Sequence, residues 1–150
     1  MDAVTYPDPG VINFVHQNII PLRVPFDAKP LSSDFNIKWT PSLLTLDTEG
    51  KEHHRTLGFL GPEELIPSLL LGIAKVKFDQ DQFAEALTLL ERILAEFPKS
   101  TPAPEAIFIR GVSRYKQSHE AHHLKEAYEK LTAEYPDQDW TKRAYPYRLL

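Results

Sequence analysis

Histidine carries most of the side-chain chemistry open to this chain. There is no cysteine among its 150 residues. Disulfides, thiolate metal sites and thiol redox chemistry are therefore excluded for the chain as given. Three of the six histidines stand together in His119-Glu120-Ala121-His122-His123. Imidazoles at i, i+3 and i+4 on one helix face can hold zinc. With no companion carboxylate identified, the stretch reads as a solvated helix start, and neither a metal nor a cofactor is expected. His53 and His54 fall on an expected strand. Strand neighbours point to opposite faces and cannot chelate together, so the two read as ordinary surface and half-buried residues. Glu63-Glu64 would suit acid–base work, yet the helix dipole alone explains two acids in a first turn. No Ser/His/Asp constellation stands out, and the six glycines form no Gly-x-Gly phosphate loop. No catalytic residue is expected. Trp39, beside Thr40-Pro41, is the best surface candidate, because an aromatic next to an exposed strand start can anchor a peptide. The alternative is that Trp39 packs in the core.

The elements that must position these groups follow from punctuation and period. Asp8 suits an N-cap and Pro9 a first helical position, ahead of Val11, Phe14 and Val15 at helical spacing. Residues 19–26 start β-branched and carry Pro21 and Pro25, which reads as a strand at an edge. Residues 28–35 suit a short helix. Residues 42–46 are a short apolar run closed by Asp47-Thr48-Glu49-Gly50, and residues 53–59 return, so an antiparallel hairpin with a four- to five-residue loop is expected. Pro62-Glu63-Glu64 opens a helix, and the rest of the chain is helical in character.

Bulk properties agree with a soluble globular chain: 42% apolar and 25% charged residues. A net charge of −4 argues against nucleic acid as the main partner. No run of 18 apolar residues exists, so no membrane span is expected. No signal peptide is visible, so the chain as given reads as cytoplasmic.

The run Phe35-Asn-Ile-Lys-Trp-Thr-Pro, strand, Asp-x-x-Gly turn, strand, Gly-Phe-Leu-Gly-Pro-Glu-Glu and helix resembles the C-terminal half of a thioredoxin-like domain. The resemblance implies a cis bond before Pro41, beside where that family keeps its active site. It extends back to Met1, covers residues 1–72 and lacks the Cys-x-x-Cys segment. It also implies a missing strand between residues 19–26 and 42–46. Those two stretches would then pair directly, or expose an edge open to a homodimer, or be completed by sequence upstream.

Aligned against itself, the second half repeats. Leu70, Ile73, Ala74, Phe83, Ala86, Leu90 and Pro98 are similar in spacing to a tetratricopeptide repeat. Phe108, Gly111, Val112, Tyr115, Leu124, Tyr128, Leu131 and Pro136 follow at the same offsets, and Pro98 and Pro136 are 38 residues apart. Leu90 and Tyr128 share an offset and should both be buried. Residues 140–150 read as a short third helix broken by Pro146. The resemblance implies a concave peptide-binding surface lined by Ser68, Leu71, Lys75, Phe78, Ala106, Ile109, Ser113 and Lys116, the two lysines favouring an acidic peptide or C-terminal carboxylate. The expected fold class is α/β (α+β): an incomplete thioredoxin-like sheet over residues 1–72, continuing into tetratricopeptide-like helical repeats over residues 62–150 and sharing the helix 62–78. The expected function is a non-catalytic protein- or peptide-binding module using Trp39, Thr40, Pro41, Lys75, Phe78, Ile109 and Lys116. The alternative is a fragment of a thiol–disulfide oxidoreductase whose Cys-x-x-Cys segment lies upstream of Met1.

Overall fold

The computed structural model describes residues 1–150. Asp8 caps α1 (Pro9–Asn18) as its sequence implies, its Oδ1 accepting from the Val11 amide at 3.0 Å. Val11 and Phe14 are buried, and the helix packs on α3. The expected strand at residues 19–26 does not form. The segment has no ladder partner and stands in solvent, with Ile20 97% exposed. Pro21 and Pro25 remove two ladder donors, and no strand lies alongside to bond the rest. A single turn, α2 (Leu31–Asp34), follows. The Lys29–Pro30 and Thr40–Pro41 bonds are cis.

The sheet is one antiparallel hairpin, β1 (Ser42–Leu46) with β2 (Glu52–Leu57). Direct pairing of residues 19–26 with β1 is therefore absent. Asp47 organises the turn by accepting from the Glu49 and Lys51 amides, both at 2.9 Å, while Gly50 takes φ 83°. The returning strand stops earlier than expected, since Gly58 turns the chain with φ 90°. The register shifts at Thr45/Leu46, so that His53 has no opposite residue and bulges from the ladder.

From α3 (Pro62–Asp79) onward the chain is a helical array: α4 (Phe83–Glu96), α5 (Ala103–Ser118), α6 (His122–Glu134), α7 (Asp139–Ala144) and a closing 3-10 turn, Tyr145–Leu149. Each helix packs most closely on its sequence neighbour. The α3–α4 and α5–α6 turns each use a left-handed residue, Asp81 (φ 59°) and His119 (φ 60°). The C-caps Phe97 (φ −132°, ψ 48°) and Tyr135 (φ −140°, ψ 55°) are nearly superimposable in backbone. Both pairs of positions are separated by the spacing of Pro98 and Pro136. The core joins Phe14, Leu70, Leu71, Ala74, Leu90 and Ile93 to Ala103 and Ala106, with a second cluster of Ile107, Ala127, Leu131 and Ala144. Leu90 is fully buried. Tyr128 is only half-buried, against expectation, because only the short α7 and the closing turn lie beyond its helix. Phe83 and Tyr115 are likewise half-buried.

Candidate functional site

One stripe of α3 decides the site. Ser68, Leu71, Gly72, Lys75 and Asp79 recur at helical spacing and share a face. This face includes the positions expected to line a concave surface, and the hairpin lies across it. Ser68 Oγ is 2.9 Å from Thr56 Oγ1. A Cβ on Gly72 would overlap the Thr45 side chain, so the glycine lets the strand sit against the helix. Lys75 Nζ lies 3.3 Å from His54 Nδ1, and Leu71 is buried in the core. The chain thus covers with its own strands the surface that the repeat spacing assigned to a ligand.

The bulge separates the two adjacent histidines chemically. His53 is held between Asp47 (Nε2 to Oδ2, 2.9 Å) and Asp79 (Nδ1 to Oδ2, 2.6 Å), with its side chain 2% exposed. This clasp ties the hairpin turn to the end of α3. The hydrogen bond with Asp47 raises the His53 pKa, burial opposing it, and the same bond holds the Asp47 carboxyl below its ordinary range. His54 faces the other way. Burial, then the neighbouring Lys75 ammonium, pushes it down to about 4, so it is neutral at neutral pH. From the sequence both read as ordinary residues. A bulge depends on pairing register, which alternation alone does not reveal.

What remains open is a polar groove of about 470 Å³ between β2, α3, α5 and α7. Lys75 on its floor is already paired with Glu105. Arg55 is held by Glu52 at 2.7 Å and donates to the Phe35 carbonyl at 2.6 Å. Arg143 has no carboxylate partner, and its guanidinium lies 4.7 Å from the centre of the Trp140 ring. Arg55, Glu105, Trp140 and Arg143 were not legible as a group in the sequence, because they converge from three separate elements, β2, α5 and α7.

The remaining expected site residues scatter. Phe78 packs edge-on against Phe83 at 5.5 Å and closes the α3–α4 turn. Ile109 is half-buried against the core, and its carbonyl accepts from the buried Ser113 hydroxyl at 2.8 Å. Ala106 is buried. Lys116 is exposed. Trp39 is 64% exposed and, with Thr40, Phe26, Ile37 and Lys38, lines a separate shallow cavity of about 450 Å³. Pro41 is half-buried, and its carbonyl accepts from the Gly58 amide at 2.9 Å.

No helix is long and apolar enough to cross a membrane. No curated protein and no solved structure matches the chain. Residues 68–100, most of α3 with all of α4, match the tetratricopeptide repeat family model.

Proposed function

We propose that this chain is a non-catalytic protein-binding module whose peptide site is the groove between β2, α3, α5 and α7. The repeat match over residues 68–100 supports a helical binding scaffold. The observation that carries the choice of groove is Arg143, a cation without a carboxylate partner, seated on Trp140. Such a group can pair bidentately with a carboxylate. The ligand class is an acidic segment or a C-terminal carboxylate. Lys116 and Ile109 on α5 and Lys75 on α3 are further contacts of the same partner, Phe78 supports the α3–α4 turn beneath them, and Trp39, Thr40 and Pro41 form a second, aromatic contact. The test is fluorescence anisotropy with labelled peptides ending in Asp or Glu, against the same peptides with amidated, uncharged ends. Arg143→Ala should weaken binding to the acidic series at least fivefold. Equal affinity for both series, or no change in the variant, overturns the groove assignment.

We further propose that residues 1–72 are a thioredoxin-like remnant without Cys-x-x-Cys that shares α3 with the repeats. The order β1, turn, β2, helix and the packing of α3 on the hairpin support that reading. Its free outer β1 edge favours a homodimer, and the exposed Ile20, Leu22 and Phe26 add apolar surface for one. Sedimentation of a monomer at every concentration from micromolar to millimolar would defeat the dimer.

A further inference from the structure

The turn joining α5 to α6 gathers side chains that serve neither the core nor the groove. The three histidines, which the sequence could place on one helix face but which read as a solvated helix start, do not share a face here. His119 ends α5 in the left-handed conformation, ahead of α6, and its ring lies 6.4 Å from Tyr115. Glu120 takes the third place instead. Its Oε2 is 3.6 Å from His122 Nδ1 and 3.7 Å from His123 Nε2. One donor atom from each residue falls in a set whose members all lie within 4.8 Å of one another. The two rings approach to 4.0 Å between centres.

Tetrahedral zinc with bonds of about 2.0–2.2 Å places its donor atoms about 3.3 Å apart. The two Glu120 distances are within a few tenths of that, and Glu120 and His122 are exposed side chains free to close it. The far nitrogens of both rings meet one more carboxylate. Glu126 Oε1 is 3.9 Å from His122 Nε2, and its Oε2 is 3.5 Å from His123 Nδ1. A metal-bound imidazole needs an acceptor on its other nitrogen, which fixes the tautomer and orients the ring. His123 Nδ1 is buried without a hydrogen-bond partner, a state that calls for an explanation. A cation at Nε2 would supply one, drawing the Nδ1 proton toward Glu126.

The charges agree. Glu120 and Glu126 bring two carboxylates to the rings, and the one guanidinium near them, Arg114, is 4.0 Å from Glu126 but 2.8 Å from Glu91. The helix dipole at the start of α6 works against a cation, which two carboxylates outweigh. We propose that Glu120, His122 and His123 bind a divalent transition-metal ion of the zinc class, with Glu126 orienting both rings and solvent in the fourth position. Two imidazoles and one carboxylate select against magnesium and calcium.

Calorimetric titration of the metal-free chain with zinc chloride at neutral pH tests this, alongside NMR of the imidazole carbons. One zinc per chain is expected, with ring shifts confined to His122 and His123. His122→Ala, at an exposed position, should lower affinity at least tenfold, and Glu126→Gln about 10–100-fold. Magnesium should not compete. His16→Ala and His119→Ala are the controls and should leave binding unchanged. Absence of zinc uptake overturns the site. So does binding that survives His122→Ala, or that falls equally with the His16 and His119 variants, since either marks indiscriminate uptake by surface histidines.

Discussion

The α3–α4 and α5–α6 pairs share a backbone plan but not an environment. Their left-handed turn residues and their C-caps coincide at one constant spacing. Their interiors differ. Leu90 has no exposed surface, while Tyr128 at the matching position keeps contact with water. The first pair is packed on one side by α1 and the hairpin and on the other by α5. The second has only α7 and the closing turn beyond it, and meets them with aromatic rings. Phe108 lies 5.2 Å from Trp140 and 5.7 Å from Tyr147, and Tyr128 lies 6.2 Å from Tyr145. Offsets in a repeat thus specify where helices turn, whereas position in the stack specifies how dry each offset becomes. Aromatic side chains suit the terminal pair because they cover much area and tolerate a wet edge.

The sharpest break would come from the matched pair itself. Leu90→Ala should cost about 2–5 kcal/mol in urea unfolding. Tyr128→Ala should cost less, about 1–2 kcal/mol, because only part of its area is withdrawn from water. Equal losses would mean that the two environments are the same.

Two glycines extend the comparison at somewhat smaller cost. Gly72 admits the hairpin at Thr45, and Gly111 admits α6 at Ala127. Each Gly→Ala change should cost about 1–3 kcal/mol through overpacking. Hydrogen exchange tells them apart. Gly72→Ala should speed exchange in β1 and β2 and spare α6, and Gly111→Ala should do the reverse. The same pattern from both would dissolve the distinction.

The hairpin side should also respond to pH. His54 is held down at about 4, below its unfolded value of about 6.5. Its contribution is present above about 6.5 and is lost as pH falls toward 4. His54→Gln should flatten that slope in urea midpoints. His53 has the opposite sign. Its pKa is raised, so its contribution is complete below about 6.5 and fades as pH rises through the folded value. Asp47, held low, contributes above about 3.9 and loses this as the solution is acidified. His53→Gln should remove the fade on the alkaline side. An unchanged pH profile in either variant would sever that histidine from the clasp or from the covered face. The smallest effect belongs to the open segment, where Ile20→Ser should stay within about 0.5 kcal/mol of the parent.

Legibility followed the range of the interaction. The Asp8 cap, the Asp47 turn, the start of α3 and the constant repeat spacing rest on residues a few positions apart, and all were readable. Residues 19–26 were misread because a β-branched start describes a strand only if a neighbour supplies its ladder. The histidine cluster was half readable. Its residue types were visible, but the left-handed turn at His119 removed one member and brought in Glu120.

By itself the sequence determined the hairpin, the start of α3 and the constant spacing of the two helix pairs, since caps, turns and hydrophobic period act through adjacent residues. Only the tertiary structure decided which face of α3 would be covered. That choice rests on Thr45 fitting against Gly72, Thr56 meeting Ser68 and His53 reaching Asp79. These partners lie far apart along the chain, and shape and charge select among such surfaces only after the helices and strands exist.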